Sequence, residues 1–123
     1  MERPVRNLVR TLTLLVLIST LPSPASATGD LFRFHASQGG FHFSLEMVGR
    51  MDPGYVQVSS SDFKPWMPRQ PYYIEFNRAQ QRAYVRPRTR GDLPWFEMDV
   101  VGTRGVLHYN GRRMEGTAEW GPW

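Results

Sequence analysis

From Leu31 to Trp120, apolar and polar residues alternate with a period of two, and turn-forming residues interrupt the rhythm about every eight to twelve positions. Successive side chains of a strand point to opposite faces, so this pattern belongs to strands with one buried face. The runs that satisfy it are Leu31 to Ala36, Phe41 to Gly49, Tyr55 to Ser60, Tyr72 to Asn77, Arg82 to Arg88, Trp95 to Val101, Val106 to Tyr109 and Met114 to Trp120. Outside the first 27 residues no long segment shows helical spacing. The expected fold is all-β: a small antiparallel meander of about seven to eight strands, closed as a barrel or folded as a two-sheet sandwich.

Turn chemistry supports that division. Asn110-Gly111 is the strongest hairpin signal in the chain. Asp52-Pro53-Gly54-Tyr55 suits a type II turn, with Pro where φ is preset and Gly where φ must be positive. Thr103-Arg104-Gly105 suits a three-residue connection with a left-handed Gly. A turn centred on Gln38 and Gly39 would set Ala36 opposite Phe41, Phe34 opposite Phe43 and Phe32 opposite Leu45, joining the apolar stripes on one face. The last hairpin should oppose Leu107 to Met114, with Tyr109, Gly116, Ala118 and Trp120 on that side, while Phe96, Met98 and Val100 supply another inward stripe. Its sequence, YNGRRMEGTAEW, resembles the closing hairpin of small calycin-like barrels, which implies a fold and no activity.

The N-terminus is built differently. Arg3, Arg6 and Arg10 precede the apolar run TLTLLVLISTL, followed by PSP and Ala25-Ser26-Ala27. A basic start, a short apolar centre and small residues before a cut define a secretory signal peptide, with cleavage expected after Ala27. The apolar run is only about half of the roughly 20 residues that span a bilayer, so no stable transmembrane segment is expected in the mature chain. The mature protein, residues 28–123, is then expected to be a single all-β domain.

There is no cysteine, which excludes disulfides, thiol nucleophiles and thiolate-bound metals. None of the three asparagines Asn7, Asn77 and Asn110 begins a glycosylation sequon. Export without disulfides or sequons points to a bacterial periplasm or the extracellular space. Of 15 basic and 11 acidic residues, Arg3, Arg6, Arg10 and Glu2 leave with the signal, so the mature balance is 12 against 10, or +2. That mild charge and an exported address argue against a nucleic-acid partner.

Four segments carry candidate chemistry. The register that joins the phenylalanines would place His35 directly opposite His42 on the outer face, with Glu46 nearby. Paired imidazoles so close are candidate zinc or copper ligands, although two ligands do not complete a tetrahedral site. In RAYVRPRTRGD, Arg82, Arg86, Arg88 and Arg90 recur at even spacing around Tyr84, and pairing of Phe76 with Ala83 would bring Glu75 and Tyr73 across from them. Such a stripe suits phosphate or carboxylate groups, where Glu75 does not neutralise it. SDFKPWMPRQP, the longest segment without strand character, carries Phe63, Lys64, Trp66 and Arg69 among three prolines. Its aromatics serve equally as binding anchors on a stiffened loop or as a plug for an open barrel end. Glu97 and Asp99, two apart on one strand face, have the spacing of an inverting glycosidase pair. Acids so placed are also ordinary on an outward face, and motifs for a serine hydrolase elbow, a phosphate loop or a zinc protease are absent.

The expectation is therefore an exported binding domain without a cofactor. Its surface would combine Phe63, Lys64, Trp66 and Arg69 with Tyr84, Arg86, Arg88 and Arg90, and meet an envelope polymer, a lipid head group or another protein. The alternative is a metal-binding protein or hydrolase using His35, His42 and a nearby carboxylate. Oligomeric state does not follow from the sequence.

Overall fold

A computed structural model describes residues 30–123. The signal segment and the cleavage expected after Ala27 lie outside the described residues. The described chain is all-β, with strands β1 (Asp30–Gln38), β2 (Phe41–Gly49), β3 (Pro53–Ser60), β4 (Tyr72–Asn77), β5 (Arg82–Pro87), β6 (Phe96–Val101), β7 (Arg104–Tyr109) and β8 (Arg112–Trp120). They form one antiparallel sheet in the order β3-β2-β1-β8-β7-β6-β5-β4. A single sheet curled on itself gives a nearly closed barrel in place of two stacked sheets. The first and last strands are neighbours, and the break falls between β3 and β4.

The period-two pattern explains which face is wet. Phe32, Phe34, Phe43, Leu45, Met47, Val85, Phe96, Met98, Val100, Leu107 and Met114 are buried, all with an exposure of 1 % or less. Two aromatic clusters fill the interior. Phe41, Phe43, Phe96 and Tyr109 meet with ring centroids 5.0 to 5.7 Å apart, and Trp120 holds Phe32 at 4.8 Å and Phe76 at 5.6 Å. Leu107 opposes Met114 and Phe76 opposes Ala83, as the alternation requires.

Across β7, β8 and β1 the inward row is Gly105, Gly116 and Ala36. The Phe34 ring lies over the two glycines. A Cβ on Gly116 would sit 2.5 Å from Phe34 Cζ and 2.4 Å from the His35 carbonyl oxygen. The missing side chains thus let the sheet wrap tightly round one aromatic ring.

Three connections differ from the sequence reading. In the β1–β2 hairpin Gly39 and Gly40 themselves form the turn, with φ of 59° and 84°. Positive φ at both central positions is the requirement of a type I′ turn. Gln38 therefore pairs with Phe41, Ala36 with Phe43, Phe34 with Leu45 and His35 with Ser44. The shift preserves the faces, so the phenylalanines stay inside. Asp52 to Tyr55 is not a type II turn, because Pro53 and Gly54 already belong to β3 and Gly54 has no positive φ. Gly49 pairs with Pro53 across a bulge so close that a Cβ on Gly49 would lie 2.3 Å from the Asp52 carbonyl oxygen. The β6–β7 turn is Gly102-Thr103, with Gly102 at φ 67° and Val101 paired to Arg104. Gly105 is left free for its place under Phe34.

Residues 61–71 form a strap along the free edge of β3. The strap bonds to it through Ser60 N–H to Phe63 O (3.2 Å), Phe63 N–H to Ser60 O (3.1 Å) and Met67 N–H to Val58 O (2.6 Å). Prolines 65, 68 and 71 lack the donors for a regular ladder. Met67 is buried and Phe63 packs on the core, so the strap does plug the barrel, while Trp66 remains 45 % exposed. The buried Tyr109 hydroxyl lies 3.3 Å from Ser60 Oγ and donates to Asp62 Oδ2 at 3.2 Å. These bonds tie the start of the strap to β7, and burial pushes the Tyr109 phenol above its ordinary pKa.

Candidate functional site

The outer face of β4, β5 and β6 gathers aromatic and arginine side chains by register. Glu75 pairs with Tyr84 and Tyr73 with Arg86, and Tyr84 pairs in turn with Asp99. The Arg86 guanidinium carbon lies 4.8 Å from the Tyr73 ring centroid and 5.9 Å from that of Trp95. Arg90, carried back by the Gly91-to-Pro94 bend, lies 4.4 Å from the same Trp95 ring. The result is one run of contacts: Tyr73, Arg86, Trp95, Arg90. Stacking of this kind holds a guanidinium by its face and leaves its N–H edge available.

Glu97 anchors the run from below. Its carboxylate accepts Tyr84 O–H at 3.1 Å and Trp95 Nε1–H at 3.2 Å. Glu75 accepts the Tyr73 hydroxyl. Glu75, the carboxylate expected to neutralise part of the stripe, is thus engaged by an aromatic donor. Among the described residues the ion pairs are Arg33 with Asp30 (2.9 Å) and Arg113 with Glu115 (3.6 Å), and neither involves Arg82, Arg86, Arg88 or Arg90. Tyr84 titrates above its ordinary range because partial burial and its bond to Glu97 favour the neutral phenol. In Tyr73 the bond to Glu75 is the main cause of a shift in the same direction.

The even spacing of the stripe holds only as far as the strand. β5 ends at Pro87, so Arg82, Tyr84 and Arg86 share its outer face while Arg88 lies in the bend beyond, its Nε–H donated to Tyr72 O at 3.4 Å. Arg86 donates one N–H to Pro87 O at 3.0 Å. Beside the stack, Tyr84 and Glu97 form the rim of an open depression of about 730 Å³, which runs across β7 to Arg104, His108 and Arg113.

The strap residues lie in a second place. Phe63 points to the core, Lys64 and Trp66 are exposed, and Arg69 stacks 4.5 Å from the Tyr55 ring on β3. No hydrogen bond or ring contact among the described residues joins Trp66 to the arginine stack. The stacking partners Tyr55 and Trp95 were not legible as such. The bend that returns Arg90 to Trp95, Gly91 to Pro94, follows no strand periodicity.

The two histidines are not opposite each other. His35 faces Ser44, with Nδ1 2.9 Å from Ser44 Oγ, and His42 faces Ser37. Both line a shallow groove with Glu115 and Thr117. No group of three or more His, Asp or Glu among the described residues is placed to hold a metal ion. Glu46 sits opposite Arg33 instead. Its carboxyl is raised above the usual range by partial burial and by Asp30, against the pull of Arg33 and His35. Glu97 and Asp99 remain on one outward face, but Glu97 is occupied as the anchor of Tyr84 and Trp95.

Comparison with family models, curated proteins and solved structures finds no match to this chain.

Proposed function

We propose that this is a non-catalytic binding domain, exported to a bacterial periplasm or the cell exterior, that engages an anionic partner through the arginine and aromatic face of β4, β5 and β6. The observation that carries the reading is the run Tyr73, Arg86, Trp95, Arg90, whose guanidiniums are stacked on rings and ion-paired to no carboxylate among the described residues. Ordering beforehand lowers the entropy lost on binding, and a guanidinium edge takes a carboxylate or phosphate through two parallel hydrogen bonds. Trp66 and Lys64 on the strap extend the contact area where the partner is a large polymer or a protein.

The test is a pull-down of the purified protein from bacterial envelope extract beside an Arg86→Ala, Trp66→Ala double variant. A second arm uses immobilised polyglutamate and vesicles of phosphatidylglycerol in phosphatidylcholine as defined anions. Capture that falls in the variant and weakens with salt supports the reading. Equal capture by both forms, or no capture in either arm, overturns it.

A further inference from the structure

The break between β3 and β4 leaves more than a gap in a drawing. The β3 edge is bonded to the strap only at Val58 and Ser60. Among the described residues, that edge has no backbone partner on the seam side from Pro53 to Val56, and neither has the outer edge of β4. The inward residues of β4, Tyr72, Ile74 and Phe76, are only partly buried, whereas Ala83 and Val85 on the adjacent strand are 2 % and 0 % exposed. Between the two edges lies a cleft of about 240 Å³ lined by Val56 of β3, by Tyr72 and Ile74 of β4 and by Arg69, Gln70 and Pro71 at the end of the strap. Arg69 is the only charged side chain of the lining, and no carboxylate is within ion-pair range of it among the described residues.

We infer that this seam is a site for an extended peptide that adds a strand along β4, places one apolar side chain against Val56 and Ile74, and sets a carboxylate on Arg69. A partner strand gains backbone hydrogen bonds from an open edge, and alternate side chains provide the selectivity. Charge selects an acidic peptide, because the cleft offers a single cation and no anion. Prolines in the strap and Pro53 at the start of β3 blunt that side of the seam against pairing, which leaves β4 as the edge to extend. The site is separate from the Arg86 stack.

The probe is a fluorescein-labelled peptide of alternating valine and threonine ending in glutamate, titrated into the purified protein and followed by anisotropy. Saturable binding is expected, about tenfold weaker in Arg69→Ala. Methylation of alternate peptide nitrogens, which removes the edge donors and leaves the side chains, should abolish it. Arg69→Ala is checked for an unchanged melting curve, and Arg69→Lys is a second variant expected to keep part of the affinity. Equal binding of the methylated peptide, equal binding to Arg69→Ala, or no binding of the parent peptide overturns the proposal. So does a stable dimer in sedimentation whose formation blocks the peptide, since a second copy would then be the occupant.

Discussion

The wall made by β7, β8 and β1 and the seam between β3 and β4 are opposite solutions to closing one small sheet. In the wall, Gly105 and Gly116 give up their side chains so that the backbone closes on Phe34, which is 0 % exposed. In the seam, no strand among the described residues pairs across, and the strap covers part of the opening with Met67 and Phe63 while Ile74 and Phe76 stay partly wet. The wall is closely packed, backbone against ring. The strap at the seam is held by five backbone bonds, by the Ser61 hydroxyl on His42 N–H and by the Tyr109 hydroxyl, fewer than a paired strand has, and regions with few such bonds open at low free energy.

The sharpest way to break the contrast is to cut into the wall. Phe34→Ala should lower unfolding free energy by about 3–5 kcal/mol, whereas Ile74→Ala at the seam should lose only about 1 kcal/mol because part of its surface is already solvated. Urea denaturation of both variants measures the difference, and equal losses would mean that the seam is closed in solution. Gly116→Val should destabilise by about 3 kcal/mol through overpacking against Phe34 and the His35 carbonyl. Here a melting temperature near the parent's would show that the sheet can relax at that corner.

Smaller effects probe the strap. Tyr109→Phe removes the bonds to Ser60 and Asp62, with an expected loss of about 1 kcal/mol. Amide exchange at Phe63 and Met67 should accelerate while that of Leu107 and Met114 rises only with the global change. The smallest effect belongs to Glu46, whose folded carboxyl pKa is raised. Such a group favours the folded state most below its unfolded pKa, and that contribution is lost as pH rises through the folded value. Glu46→Gln should therefore be slightly more stable than the parent near neutral pH, by a few tenths of a kcal/mol after solvent screening. The advantage should vanish in melts run below the ordinary carboxylate range.

Much of this architecture is written in the alternation itself. All eight strands and the inward stripes follow from period two, because a buried face tolerates no change of parity. The glycines were harder to read. Gly39-Gly40, Gly102 and Gly105 each suit a turn; of the last two, Gly102 turns and Gly105 lies under the Phe34 ring carried in from a distant strand. The error at His35 and His42 has the same origin: a register can slide by two without exposing a single phenylalanine. The site was legible where it rests on pairing, as for Tyr73 opposite Arg86. It was illegible where it rests on an irregular bend, as for Arg90 on Trp95.

The position of the break also sets an order of assembly. In space the sheet starts at β4 and ends at β3, so the later part of the chain can add hairpin upon hairpin as it emerges. The earlier part cannot be finished that way. Phe34 enters first and meets Gly105 and Gly116 only when the last hairpin arrives, a contact of long sequence separation that slows folding. Until the β1–β8 pairing forms, the β1–β2 hairpin has its row of phenylalanines uncovered, so the tightest wall of the barrel is also the one that depends on joining the two ends of the described chain.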